Sequence, residues 1–240
     1  MNRLYQIPNA FNSLIVKEIN KQPKEKLSFD RNDLKLIFSQ PLFKSGEYKN
    51  QYQFWTPLIA LFSGARRGEI SQLRTYDIEQ EDGIWHFNFN ENIQKGDDGN
   101  KKIKNTASFR KTPIHSFLIE LGILNFKNSL DRGRLFPDSG AWTDKEGYGR
   151  YIGEKFNAFS KQAGVAHEKT FKSFRSTFLS ELERMGVTDR DLVLLAGHVD
   201  EFPNVREKHY FDDKKLPYLF EQIKKLDFSD VLIGVKPKQE

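Results

Sequence analysis

The chain has 240 residues, 13% of them aromatic and 21 of them Phe, which suffices for one good-sized domain and excludes a disordered tract. Lys and Arg outnumber Asp and Glu by 38 to 33, a net charge of +5 that is compatible with a nucleic-acid partner without specifying one. There is no Cys, hence no disulfide or thiolate chemistry, and neither a membrane-length apolar run nor an apolar signal core, so the sequence predicts a soluble, cytoplasmic protein.

Residues 1–27 are polar and basic, end in KQPKEK, and read as a linker. Asp30 can cap a short helix carrying Leu34, Ile37 and Phe38. QFWTPLIALFSG follows, with Thr56 and Pro57 as an N-cap and first-turn pair and with apolar residues on nearly every face, so a buried helix is predicted, stopped by Gly64. GIWHFNFN alternates, placing Trp85, Phe87 and Phe89 on one face of a strand and Ile84, His86 and Asn88 on the other. KGDDGNKK is turn material, and KKIKNTASFRKTPIH supplies the returning strands of a small antiparallel sheet. SFLIELGIL reads as one helix. YIGEKFNAFSKQAG reads as another, with Ile152, Phe156 and Phe159 inward and Gly164 as its stop. TFKSFRSTFLSELERMG is a third, closed by Gly186, and TDRDLVLLAGH runs from a Thr188-x-x-Asp191 cap to Gly197. PYLFEQIKKL is a last helix, followed by the short apolar VLIGV. The expected class is α+β, mainly α: a helical domain with a small antiparallel sheet.

In FKSFRSTF, Phe171, Phe174 and Phe178 recur as a core stripe, while Lys172 and Arg175 lie three apart on a neighbouring face. Like charges at that spacing cost roughly 0.2–0.5 kcal/mol unless water or an anion joins them, and both remain open. Arg66, in SGARRGEI, is anchored beside the buried helix; it can pair with Glu69 or grip two oxygens of a phosphate. His198 sits just past a helix end, in AGH, where a polar terminus and a chemical role are both open. Tyr210, in REKHYFDD, is either a surface residue or a nucleophile. No zinc-ligand spacing, phosphate-cradling loop or nucleophile elbow occurs, and KGDDG lacks the calcium-loop ligand series, so no cofactor and no metal is expected.

Taken in order, the G-x-R-x-x-E of GARRGEISQL, a lysine ahead of KNTASFRKTPIH, the K-x-x-R of KSFRSTF, Gly-His in LLAGH and then a tyrosine resemble the catalytic domain of the tyrosine recombinases, the phage-integrase family. The resemblance runs from about residue 28 to 226. It implies that 1–27, including NAFNSLIV, ends an absent N-terminal DNA-clamping domain, and that 227–240 is a C-terminal tail. By this likeness Arg66 and Arg175 would bind the non-bridging oxygens of a scissile phosphate, and His198 would hydrogen-bond it or assist the tyrosine's proton. Lys104 would protonate the leaving 5′-oxygen, with Lys95, Lys101 and Lys102 as rivals, and Tyr210 would form a 3′-phosphotyrosyl link, with Tyr218 as its rival. The commoner pattern has histidine where this chain has Lys172 and Ser176. Lysine can donate to phosphate but, at its ordinary pKa, is not a base near neutrality.

The implied activity is site-specific cleavage and rejoining of double-stranded DNA at an attachment site, for integration or excision of a mobile element, without metal or nucleotide. The implied assembly is a dimer at each site and a tetramer at synapsis, a monomer in isolation, with no membrane partner; VLIGV would pack on a neighbour or as a strand within its own domain. Two other readings share the residues: a type IB topoisomerase, and a DNA-binding domain that keeps the fold and has lost cleavage.

Overall fold

Asp30 opens the first helix, α1 (Arg31–Phe38). Its carboxylate accepts the Asn32 and Asp33 N–H groups while Asp33 reaches back to the Asp30 N–H, a reciprocal cap. The structure, a computed structural model, describes residues 27–97, 100–103, 108–140, 143, 147–197 and 216–238. Among these follow α2 (Pro41–Lys44), α3 (Gln51–Ser63), α4 (Arg67–Ser71), a 3-10 turn (Thr75–Asp77), β1 (Ile78–Glu81), β2 (Ile84–Phe89) and β3 (Arg110–Pro113). The remainder is α5 (Ser116–Glu120), α6 (Ile123–Asn128), α7 (Gly149–Gln162), α8 (Ser173–Arg184), α9 (Asp189–Ala196) and α10 (Leu216–Ile223). The class is the expected one, mainly helical with a small antiparallel sheet.

α3 is the axis of the core, and every residue from Phe54 to Ser63 is buried. It starts six residues earlier than its Thr-Pro pair suggests. Gln53 Oε1 accepts the Lys49 and Asn50 N–H groups at 3.1 and 3.0 Å, which fixes the start at Gln51 and leaves Pro57 inside the helix. Thr56 Oγ1 donates to the Tyr52 carbonyl at 2.8 Å within the turn that the proline weakens. α3 packs on α4, α7 and α8. Phe174 of α8 has the rings of Phe29, Phe156 and Phe171 at 4.7, 5.0 and 5.6 Å, and each such buried ring contributes roughly 1.5–3 kcal/mol of transfer free energy. Gly64 ends α3 in the left-handed region at φ 60°, and a Cβ there would lie 2.4 Å from a Phe178 ring carbon. Only glycine satisfies both demands.

The sheet order is β1-β2-β3, all antiparallel. Asp82 and Gly83, at φ 51° and 77°, make the two-residue turn between β1 and β2, a hairpin that the Asp-Gly pair signals and that the reading of β2 alone missed. Phe87 and Phe89 face the core as expected, with Trp85 only half-buried. Phe89 stands opposite Arg110, so the two side chains share a face. His86, on the face opposite Phe87 and Phe89, is fully buried as well, with Glu79 at 3.7 Å.

Two further expectations shift. SFLIELGIL is broken into α5 and α6 by Gly122 at φ 95°. VLIGV forms turns, not a strand: Val231, Leu232 and Val235 are buried in the core of their own chain, and beyond them Lys236 N–H donates to the Phe43 carbonyl at 3.0 Å. Among the described residues no helix is long and apolar enough to cross a membrane.

Candidate active site

Three arginines meet where α3 ends and α4 begins. Arg66 caps α4, and its Nη1 donates to Glu69 Oε1 at 2.6 Å and to Ser108 Oγ at 3.1 Å, while its Nη2 faces the Gly197 carbonyl at 3.5 Å. Glu69 Oε2 accepts the Arg66 backbone N–H and Arg110 Nη2, both at 2.9 Å. Arg175 reaches in from α8, and its Nη1 donates to the Gly64 carbonyl at 2.7 Å, two residues before Arg66. Its Nη2 is buried and has no hydrogen-bond partner among the described residues.

Among the described residues, three guanidiniums against one carboxylate leave two positive charges in excess. Backbone ends hold them together: Gly64 terminates α3 and Gly197 terminates α9, and the carbonyls at helix C-termini carry partial negative charge. Leu195, in the last turn of α9, contributes a third carbonyl, to Arg110 Nε at 3.0 Å. Burial alone would raise the Glu69 carboxyl, but Arg110 and then Arg66 overcome it and hold it down at about 2. For Arg175, burial first and then Arg66 and Arg110 pull the pKa down to about 9, with Glu69 opposing. An anion seated beside Arg66 and Arg175 would relieve that strain, and the unused Nη2 is a donor for it.

The structure therefore brings Arg66 and Arg175 together, and the Arg66–Glu69 pair exists as well. Lys172 does not share their surroundings. It precedes the first residue of α8 and is exposed, while Arg175 turns inward to the end of α3, so the flank the sequence suggested they share is divided. Lys104, His198 and Tyr210 lie outside the described residues. The alternatives to Lys104 and Tyr210 differ in their partners. Lys101 is buried, with all three donor directions taken by Asp77 Oδ1, Asp77 Oδ2 and Asn90 Oδ1, each at 2.8 Å, whereas Lys95 and Lys102 are exposed. The Tyr218 hydroxyl donates to Asp191 Oδ2 at 2.8 Å.

Sequence reasoning missed Arg110. KNTASFRKTPIH is legible in the sequence as part of the returning strands of the sheet, with no local pattern that gives its arginine a role. The available signal was alternation: on a strand opposite Phe89, a residue pointing to the buried side must be apolar or have partners waiting. Arg110 has its guanidinium 4.3 Å over the Phe89 ring and three acceptors around it.

No protein-family model matches the chain, and no curated protein matches it. Solved structures do. The integrase from mycobacterium phage Brujita is similar at a TM-score of 0.54 and 16% identity, over 87% of this chain and 62% of that one. The Tn1549 transposon integrase, solved in complex with transposon right-end DNA, is similar at a TM-score of 0.50 and 15% identity, over 85% of this chain and 66% of that one. The chain has the fold of these two integrases, and it spans about 62% of the length of the Brujita integrase.

Proposed function

We propose that the protein is a tyrosine-type site-specific recombinase, cleaving and rejoining double-stranded DNA at an attachment site. The observation that carries this reading is the Nη2 of Arg175, buried near Arg66 and without a hydrogen-bond partner among the described residues, in a cluster where those residues leave two positive charges in excess. A phosphodiester is an anion with two non-bridging oxygens, which is what two converging guanidiniums bind. In the pentacoordinate transition state those oxygens carry more charge, so donors already in place stabilise it more than the substrate.

In this mechanism Tyr210 attacks phosphorus, the P–O bond to the 5′-oxygen breaks, and a 3′-phosphotyrosyl bond forms. Lys104 gives its proton to the departing 5′-oxygen, and His198 hydrogen-bonds the phosphate or takes the tyrosine's proton. Attack by another strand's 5′-hydroxyl reverses each transfer, so bond energy is conserved. Lys172, exposed ahead of α8, would be a further phosphate donor only if it turned toward the arginines when DNA binds. The partner is duplex DNA, and a pair of sites implies dimers and tetramers of the chain on it. The Tn1549 integrase, whose solved structure contains transposon-end DNA, supports the choice of ligand.

The test is covalent trapping. Nicked duplexes from a randomised pool are incubated with the protein, and adducts that survive denaturation are sequenced. Adducts are expected from the wild type and from Tyr218→Phe, and none from Tyr210→Phe. Arg66→Ala should slow adduct formation by about 10²–10³-fold. Duplex binding without any adduct would make this a binding domain that has lost cleavage. Relaxation of supercoiled plasmid without joining of two sites would make it a topoisomerase. Affinity that stays flat between 50 and 200 mM salt would contradict phosphate contacts altogether.

A further inference from the structure

Arg110 stands behind the pocket, not in it. Its Nε, Nη1 and Nη2 each already have an acceptor, whereas Arg175 Nη2 has none among the described residues, so Arg110 has no donor nitrogen left for a phosphate. Yet the two arginines hold the same three pieces of the fold. Arg66 touches Glu69, Ser108 Oγ and the Gly197 carbonyl. Arg110 touches Glu69 Oε2, the Ser108 carbonyl at 3.0 Å and the Leu195 carbonyl at 3.0 Å, with its flat face on Phe89. α4, the segment at Ser108 just before β3 and the C-terminal end of α9 are thus joined twice.

From this double clasp, and resting on the recombinase reading, we infer that Arg110 is a positioning residue: through Glu69 it sets the orientation of Arg66, and through Leu195 and Ser108 it fixes the end of α9 against the hairpin strand. Its occupation of Glu69 Oε2 leaves Oε1 as the oxygen that fixes Arg66 Nη1. Its charge is the largest influence holding the buried carboxyl ionised against desolvation. A planar fork with three acceptors at fixed angles is something lysine cannot reproduce, so the geometry asks for arginine and not merely for charge. A residue that only strengthened the fold would change stability and every function together. A positioning residue changes the chemical step first.

The experiment compares Arg110→Ala and Arg110→Lys with the wild type in four readouts: thermal unfolding, affinity for a labelled duplex, single-turnover adduct formation across pH 5–8, and titration of the Glu69 carboxyl by carbon-13 NMR. For Arg110→Ala the adduct rate should fall about 10²-fold, as expected of a displaced catalytic group, with duplex affinity within about threefold of wild type. The Glu69 titration should move upward, and the rate should acquire a loss on the acid side that the wild type lacks. Arg110→Lys should restore the flat pH profile and recover only part of the rate. Wild-type rate in Arg110→Ala would overturn the inference. So would loss of affinity, thermal stability and rate in step in both variants, which marks a strut. If the wild type itself forms no adduct, the recombinase reading fails on its own. The inference is then judged by the Glu69 titration: an unmoved carboxyl in Arg110→Ala overturns it, and an upward shift upholds the Arg110–Glu69 link.

Discussion

Two buried cations, Lys101 beyond the β1–β2 hairpin and Arg175 on α8, are finished differently. Lys101 has one carboxylate, Asp77, for its one charge, and an acceptor for each of its three donor directions. Burial pushes the Asp77 carboxyl up and the Lys101 ammonium down, so desolvation is severe there, yet the pair is closed. Among the described residues, Arg175 shares one carboxylate with two other guanidiniums and has one nitrogen without a hydrogen-bond partner. A closed cluster has nothing left to bind. The open one is incomplete until an anion arrives, and that contrast, more than burial or charge alone, separates a structural cation from a functional one.

The comparison is broken most forcefully at Lys101. Lys101→Ala leaves Asp77 as an uncompensated buried carboxylate, and removing one partner of such a pair costs about 3–5 kcal/mol. Replacing both, with Lys101→Met and Asp77→Leu, should return most of that loss. Urea unfolding of the two variants at neutral pH checks it. If Lys101→Ala is as stable as wild type but no longer cleaves DNA, Lys101 belongs with the chemistry and the comparison collapses.

The second effect is the acid limb of stability. Glu69 is held at about 2 against an ordinary 4.5, so its folded pKa is the lower one. Its contribution is therefore present above pH 4.5 and is lost as pH falls through about 2, worth roughly 3 kcal/mol in all for this largely buried group. Glu69→Gln should be less stable than wild type by about that amount at pH 7. The gap should shrink steadily between pH 4.5 and 2, measured by denaturant unfolding at several pH values. A constant gap would mean that Glu69 contributes packing and not charge.

These sites were unequally legible. Periodicity found the Phe171, Phe174 and Phe178 stripe, and all three are buried, because apolar spacing on a helix translates directly into a face. The glycine stops Gly64, Gly164, Gly186 and Gly197 were read correctly for the same local reason, and each has positive φ. Gly64 and Gly197, however, also aim helix-end carbonyls at guanidiniums from elsewhere in the chain, and no local pattern encodes that meeting. Arg110 and Lys101 were misweighed on the same account. Their partners lie 41 and 85 residues away for Arg110 and 24 away for Lys101, so whether a cation is taken or open is decided by tertiary packing. The start of α3 was misplaced because Thr-Pro is a strong local signal, and the Asn50–Gln53 cap outweighs it only once the core has accepted the extra turn.

A smaller effect, and of opposite sign to most substitutions, is expected at Arg175. Desolvation and two like charges act against it, and a single bond to the Gly64 carbonyl answers them. Arg175→Met keeps the volume and removes the charge, so the free protein should gain about 1 kcal/mol, a rise of roughly 2–4 °C in Tm for a domain of this size, while duplex DNA no longer raises Tm as it does for wild type. A fall in Tm would show that Arg175 is a strut between α8 and α3, and its unused nitrogen would lose its meaning.

Lys172 should matter least. It is exposed at the start of α8, and a solvated ammonium near a phosphate is worth about 0–1 kcal/mol once salt and side-chain freedom are counted. Lys172→Ala should therefore weaken duplex binding no more than about fivefold and lower the salt dependence by about one phosphate contact, read from affinity against salt concentration. Lys172→His, the residue that the recombinase pattern more often has, should leave affinity near that of the alanine variant at pH 8, where a solvent-exposed imidazole is mostly neutral, and recover part of the loss at pH 6. A loss of cleavage as deep as that of Arg66→Ala would require the Lys172 ammonium to leave solvent and close over the phosphate when DNA binds. The flank divided in the free protein would then be joined by the same anion that completes Arg175.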